Sequence, residues 1–565
     1  MRKQHTIYYF FMLILFCSLT GLKSQDLHTV SAMEKVQLCT DRTMYITGEK
    51  IFFSAVIFDE NGAFAGDLSR ILYVEIITPA GTRIAGGKYI VENSSAQGCL
   101  KIPEENVTGT YYLKSYTRFM RNGSPDGYSY VMLKIINPDK AEVLTAHETT
   151  DTARIIEKGM NEPAPGLSIN ISSVKKRYSP RDSVSLKIDG STGKSHAAKL
   201  CLSIIPASAY VDDAVAAKIS GNSPGLIQFY PETRGISITG RLLENKAGRP
   251  VPNALINLSV IGDKDVMAIR TDSSGRYFFA LPAYSGNRDI FLCAENIQGH
   301  SPEIFIENDF CPKPVNLPSP MFRLTKNEKE TAYELAVNQS ITSKFRQDTV
   351  AGEHGPPKGG MPFYGEQTEV LVIDKYIDLP TVEEYFNELP VDVKVRKSEG
   401  RKHFRFVTTR TEMTIFDPLV LIDWVAVDDI DRVLALSPKA LDRIELVNAP
   451  YIKGNITYGG IISFVSKNDD FAGIDLPASG TFINYKFLED CSENISMGPM
   501  PANLPDSRNT VFWDPDVRIS DEGSTNIHFT VPDTPGKYII LLRAISSSGA
   551  QVVGREEFEV KAGLK

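Results

Sequence analysis

The chain lacks most of what a metal or redox centre is built from. Its seven cysteines are scattered, and no two form a C-x-x-C pair, so neither a zinc site nor a thioredoxin-like dithiol is spelled out. Histidine is equally sparse, eight in 565 residues. "HETTD" (147–151) lacks the second His of a zincin helix, and His354, His403 and His528 stand singly. Positive charge is short as well: 61 Lys and Arg against 69 Asp and Glu leave a net charge of −8, which argues against a nucleic-acid surface. After the first two dozen residues no apolar run approaches the ~20 residues of a membrane-spanning helix. No metal, cofactor or catalytic residue is assigned on this reading.

Two patterns imitate chemistry. Gly221-Asn222-Ser223-Pro224-Gly225 fits the G-x-S-x-G nucleophile elbow, but the elbow needs the backbone N–H after the serine, and Pro224 has none. Ser223 therefore reads as a loop residue. The acidic stretches "VDDID" (427–431) and "DPDVRISDEG" (514–523) offer carboxylates without the regular spacing of a calcium loop. Turn-forming and helix-capping Asp is the plainer explanation.

What is present begins with Arg2 and Lys3, followed by "TIYYFFMLILFCSLTGL" and "KSQD". A basic start, a short apolar core and small residues near Ser24 predict a signal peptide over 1–24, and hence export to the periplasm or outer membrane. A lipoprotein reading would lipidate Cys17 and ranks second, because bulky Phe16 precedes it. Cys39 with Cys99, and Cys293 with Cys311, are the disulfides that shared modules suggest. Sequence does not fix the pairing, and buried free thiols fit equally well.

Most of the remainder predicts short strands. "KIFFSAVIFD", "ILYVEIIT" and "GTYYLKSYTRF" are aromatic or β-branched and are divided by "ENG", "PAG" and "RNG". This spacing points to a β-sandwich over 25–140. "VKKRYSPRDSVSLKID" (174–189) repeats the logic of "TDRTMYITGEKIFFSAV", with Tyr178 matching Tyr45 and Asp182 matching Glu49. A second, partial sandwich is expected over 167–234, after a polar linker at 141–166. "SITGRLL", "ALINLSV", "AIRTD" and "GRYFFALP" place another sandwich at 235–310, with "SSG" as a hairpin turn. Residues 311–366 read as a Pro-rich connector and a helix, with Leu335, Ile341 and Phe345 as its buried positions. "TEVLVID", "LPTVEEYFNELP", "VDVKVRK", "KHFRFVTT", "PLVLIDWVAV" and "YGGIISFVSK" then alternate strand and helix through 367–470, an α/β unit. Residues 471–565 return to strands. The fold class is mainly β and multi-domain, tandem sandwiches plus one small α/β domain.

Three resemblances are carried by these motifs. "CTDRTMYITGEKIFFSAVIFD" with "GTYYLKSYTRFM", and the C-terminal "FWDPDVRISDEG…FTVPDTPGKY", resemble the sandwich modules of alpha-macroglobulins. Residues 235–283 resemble the carboxypeptidase regulatory-like sandwich, a rigid spacer without catalytic residues. "PLVLIDWVAVDDIDRVLALSPKALDRIELVNAP" (418–450) resembles the plug domain of TonB-dependent outer-membrane receptors. The order of the modules resembles that of large envelope proteins of Bacteroidetes-type bacteria. Macroglobulin-type covalent trapping is ruled out, since Cys99 stands in "QGCLKI" with no Glu-Gln after it. The plug resemblance comes without its barrel: 95 residues follow Asp470, where a 22-stranded barrel takes hundreds.

These resemblances imply a non-enzymatic, exported scaffold or binding protein. Through its plug-like domain it would dock on an outer-membrane barrel or envelope complex. A surface adhesin using the sandwiches is the alternative. Trp424, Asp428, Asp429 and Asp431 are the candidate partner-binding residues. Trp424 stands where the resemblance has Gly after "LID", so that corner is expected to avoid positive φ. "TEVLVID" could pair with a partner by strand addition, but the simpler expectation is an internally paired first strand.

Overall fold

The computed structural model describes residues 34–561 apart from 60–62, 67, 145–166, 193–197, 211–226, 245–247, 296–301, 346–360, 390–391, 399, 408–410, 477–479, 492–502, 521–522 and 547–550. The signal peptide with Cys17, "HETTD", the Ser223 motif, His354 and most of the 141–166 linker lie outside the described residues.

Alternation of apolar side chains builds two cores at once in the first sandwich. One sheet holds Lys35–Thr40, Lys50–Phe58 and Ser95–Lys101. The other runs Met44–Ile46, Ser129–Ile136, Gly109–Thr117, Ile71–Ile77, Arg83–Ile90. Along "ILYVEII", Leu72, Val74 and Ile76 enter the sandwich's own core, while Ile71, Tyr73 and Ile77 enter a second apolar cluster shared with the third sandwich. Successive strand residues face opposite sides, so an antiparallel strand buried throughout must be covered on both. Tyr111 and Leu113 against Tyr112 and Tyr116 divide in the same way.

The second sandwich corrects the expected division of the chain. Leu167–Ser172, Ser183–Thr192 and Ser524–Thr530 form one sheet. Arg177–Tyr178, Gln551–Val560, Gly536–Ser546, Ala198–Pro206 and Phe512–Asp514 form the other. The segments read as separate, 167–234 and 471–565, therefore close into one body, in register Leu202↔Leu542 and Ser203↔Trp513. Each half alone would leave unpaired strand edges.

Nested within that body is the third sandwich. Ser237–Leu243, Arg276–Ala280 and Glu303–Ile306 face Leu255–Val260, Val266–Arg270, Asn287–Ala294 and Thr481–Lys486. Its last strand comes from the segment assigned to the C-terminal module and pairs Phe291 with Phe482. Within the third sandwich's own span lies the α/β unit, residues 361–476. Its sheet runs Glu369–Val372, Leu441–Val447, Ile461–Ser466, Leu419–Ile422, Val425–Ala426. "TEVLVID" thus pairs internally, with the strand Leu441–Val447. Thr381 caps the helix Val382–Glu388 by accepting from the Glu384 amide, which fixes where that helix starts.

The predicted helix spans Lys326–Phe345. A capping box starts it: Thr325 Oγ1 accepts from the Glu328 amide, and Glu328 accepts from the Thr325 amide at 2.7 Å. Leu335 is fully buried against Met44, Ile46 and Ala209, whereas Ile341 is only half-buried. The helix therefore wedges the first sandwich against the second.

Both expected disulfides are corrected. Cys99 bonds to Cys491, 392 residues away, with Cα atoms 5.9 Å apart. Cys39, Cys201, Cys293 and Cys311 are buried free thiols. Among the described residues no helix is long and apolar enough to cross a membrane.

Candidate docking cleft

Three of the four candidate partner residues line one cleft. It has a volume of about 420 Å³ and separates the third sandwich from the α/β unit. Asn257, Arg270 and Glu295 form the sandwich wall; Asp428, Asp429 and Asp431 stand opposite, with His403, Phe416 and Asp417 beside them. The two bodies are joined beneath it by buried polar contacts. The Ala426 amide donates to Ser259 Oγ at 3.2 Å, and Ala426 O accepts from Cys293 Sγ at 3.2 Å. Tyr458 donates to Asn257 Oδ1 at 3.1 Å. Burial raises the Cys293 pKa to about 12, so this sulfur is an inert packing group.

Trp424 sits at the edge of this junction, with the Lys264 ammonium 4.6 Å from its ring centroid. The expectation that its corner avoids positive φ is corrected. Asp423 (φ 44°) and Trp424 (φ 62°) are the two central residues of a hairpin closing on the Ile422↔Val425 pair. A two-residue turn that matches strand twist needs positive φ at both positions, usually from Asn-Gly. A side chain there costs roughly 1–2 kcal/mol. Asp423 offsets that cost: its buried carboxylate accepts from the Ser466 amide and hydroxyl, both at 2.7 Å, and from the Phe471 amide at 2.9 Å.

Two adjacent glycines hold the far wall. A Cβ on Gly459 would lie 2.2 Å from Phe416 O, and one on Gly460 would lie 2.4 Å from the Phe406 ring. Their absence of side chains lets the turn carrying Ile415–Asp417 press onto the sheet.

The charges in the cleft are mixed and partly spent. Asp429 caps the helix Ile430–Leu434, accepting from the Arg432 amide at 3.2 Å, and pairs with the Arg432 guanidinium at 2.9 Å. Capping, as expected for Asp in "VDDID", is therefore its structural role. Asp417 pairs with Arg405 at 2.6 Å and lies 3.9 Å from His403 Nδ1. Lys402 is held above its usual range by its hydrogen bond to Glu383, helped by the charge of Asp431. Among the described residues no three of His, Cys, Asp and Glu are grouped to hold a metal ion.

Sequence reasoning missed the clamp that joins the first sandwich to the second. Arg42 is buried and grips Glu49 with both terminal nitrogens, at 2.7 and 3.0 Å. Its Nε donates to Thr510 Oγ1 at 3.1 Å, and Asn509 Nδ2 donates to Glu49 at 2.7 Å. The only trace of this in the sequence is the T-D-R-T-M-Y-x-x-x-E spacing around Tyr45.

No protein-family profile matches the chain, and no curated protein matches it either. Among solved structures it is similar to Escherichia coli alpha-2-macroglobulin activated by porcine elastase, with 9% identity, a TM-score of 0.25, and coverage of 94% of this chain and 44% of that one. Salmonella alpha-2-macroglobulin reacted with methylamine gives 10% identity and a TM-score of 0.24, covering 95% and 40%. Dimeric latent PorU from Porphyromonas gingivalis gives 11% and 0.16, covering 50% and 34%. The chain spans less than half the length of these structures.

Proposed function

We propose that the chain is a non-enzymatic scaffold and binding protein whose three sandwiches hold the α/β unit out for a partner. The observation that carries this reading is where apolar surface remains exposed. Among the described residues, eight of the sixteen exposed large hydrophobic ones fall in the α/β unit at 361–476: Met361, Val370, Tyr376, Ile377, Val407, Ile415, Phe416 and Ile452. Exposed apolar residues that adjoin mark interaction surfaces, and Tyr376 with Ile377 and Ile415 with Phe416 are neighbours in the chain. Ile415 and Phe416 also border the charged cleft, giving an apolar rim beside polar groups.

On this reading the protein is exported and docks on an outer-membrane barrel or envelope complex. The support is the N-terminal apolar run and the plug-like sequence of 418–450. Photo-crosslinkers placed at Ile377 and Ile415, with Tyr333 on the long helix as control, test it in solubilised envelope. The expected result is a crosslink to a barrel protein from the first two sites only. Equal labelling from Tyr333, or recovery solely as a free monomer, would sink the idea.

A further inference from the structure

Cys39 and Cys201 belong to different sandwiches yet share one core. Cys39 lies in the strand Lys35–Thr40 and Cys201 in Ala198–Pro206. Arg543 stands directly opposite Cys201 in the ladder. Its Nη2 donates across the boundary to Thr40 O at 2.5 Å, the carbonyl next to Cys39, and to Ser203 Oγ at 3.1 Å. One guanidinium thus draws the strand carrying Cys39 onto the sheet carrying Cys201. Both thiols are about 3% exposed and join the same apolar cluster. Each thiol is the largest single influence on the other's titration. Ser54 Oγ donates to Pro515 O at 3.0 Å in the same interface.

We propose that Cys39 and Cys201 form a second disulfide site, a covalent tie between the first and second sandwiches that closes under oxidising conditions. The Cys99–Cys491 bridge already ties the first sandwich to the chain returning from the third, and structural disulfides belong to oxidising compartments. The other two thiols have no such opportunity. Cys293 faces Ala426 O, and Cys311 accepts from the Tyr128 hydroxyl at 3.3 Å.

The pair is also chemically asymmetric. The hydrogen bond from Cys201, with Arg543 nearby, outweighs burial and lowers the Cys39 pKa to about 7, while Cys201 is pushed well up. Cys39 is thus the attacking thiolate and Cys201 the proton donor. With a low-molecular-weight disulfide as oxidant, Cys39 Sγ attacks one of its sulfurs. An S–S bond forms to the protein, and one small thiolate leaves and takes up the Cys201 proton. Cys201 Sγ then attacks Cys39 Sγ, the mixed disulfide breaks, and the second small thiolate leaves, protonated by water. Two electrons pass to the oxidant, which ends as two thiols. Both sulfurs are buried in the closed interface, so the exchange takes place as the two sandwiches settle together, when Cys201 and Arg543 already stand beside Cys39 but the interface still admits the small disulfide.

The test is to refold the full chain in oxidised glutathione, block remaining thiols by alkylation, and map non-reduced peptides. The expected map links Cys39 to Cys201 beside Cys99–Cys491, with Cys293 and Cys311 alkylated. Alkylated Cys39 and Cys201 alongside a closed Cys99–Cys491 bridge would overturn the proposal, as would Cys39 joined to any other cysteine. The variant Cys201→Ser removes the second step, so Cys39 should retain one glutathione. Glutathione on Cys201 in the converse variant Cys39→Ser, with none on Cys39 in Cys201→Ser, would reverse the order of attack. If either variant fails to fold, the wild-type map alone decides.

Discussion

The first and second sandwiches begin with the same device and use it differently. In the first, Tyr45 Oη accepts from the Arg42 amide at 3.3 Å, and Glu49 accepts from the Ile46 amide at 2.6 Å. In the second, Tyr178 Oη accepts from the Lys175 amide at 2.8 Å, and Asp182 accepts from the Ser179 amide at 2.8 Å. Each tyrosine reaches back three residues, and so does each acid. Each short strand holding the tyrosine is then laid parallel to a later strand of its own module. The difference is one methylene and the cover above it. Glu49 is long enough to hold Arg42 as well and is sealed by Asn509, whereas Asp182 is exposed. A local turn lock has become an interdomain clamp in one copy only.

Removing the acid tests that contrast most strongly. Glu49→Ala leaves the Arg42 guanidinium buried without its bidentate partner, and breaking such a pair costs about 3–5 kcal/mol. Asp182→Ala loses only an exposed turn bond, within about 1 kcal/mol. Urea unfolding of both variants checks it; equal losses would mean the clamp contributes no more than the turn.

Acidity separates the two bodies next, with opposite signs. Glu232 sits between the first and third sandwiches, accepting from the Tyr73 hydroxyl at 3.0 Å and the Ser237 amide at 2.7 Å. Burial raises its pKa from 4.5 to about 7, against the opposing pull of Arg118. Its protonated form is the one the fold prefers. Its contribution is full below pH 4.5 and is lost as pH rises to about 7, amounting to a few kcal/mol at most. In the second sandwich, Asp533 is lowered below 3.8, chiefly by its hydrogen bonds to Arg181, the nearer at 2.8 Å. That contribution is present above pH 3.8 and disappears in acid, and exposure keeps it small. Glu232→Gln should therefore flatten the stability profile between pH 4.5 and 7, while Asp533→Asn should change it only in acid. Thermal unfolding across pH distinguishes them, and an unchanged slope in Glu232→Gln would refute the assignment.

How far all this was legible depends on range. Strands, the long helix and the alternation in "ILYVEII" follow from local periodicity, and so does the echo of Tyr45 in Tyr178. The helix capping by Asp429 was readable from its residue type. What stayed hidden is pairing across hundreds of residues: the closure of 167–210 with 503–561, the loan of Thr481–Lys486 to the third sandwich, and Cys99 with Cys491. No spacing rule encodes which distant strand will complete a sheet when insertions intervene. The cleft shows the same limit. Asp428, Asp429 and Asp431 were found as a local acidic run, but their neighbours Asn257, Arg270 and Glu295 come from another module. Trp424 failed for a different reason, since tertiary contacts through Asp423 hold a backbone that its own residue type disfavours.

The tyrosines offer the smallest and most specific test of the repeat. Tyr45 donates to Asp41 Oδ1 at 2.6 Å while accepting from the Arg42 amide, and its ring lies 4.4 Å under the Arg42 guanidinium. Asp41 also accepts from the Phe52 amide at 3.1 Å and, like Tyr45, is fully buried. Tyr45→Phe keeps the ring but leaves the Arg42 amide and one Asp41 lone pair unmet where water does not reach, a cost of about 1–3 kcal/mol. Tyr178→Phe frees only the Lys175 amide near the surface, where solvent replaces the hydroxyl, about 0.5 kcal/mol. The two substitutions are chemically identical, so their difference measures cover alone. Equal losses would place the stabilisation in the turn that the copies share; a larger loss at Tyr45 places it in the closure of the second sandwich over the first.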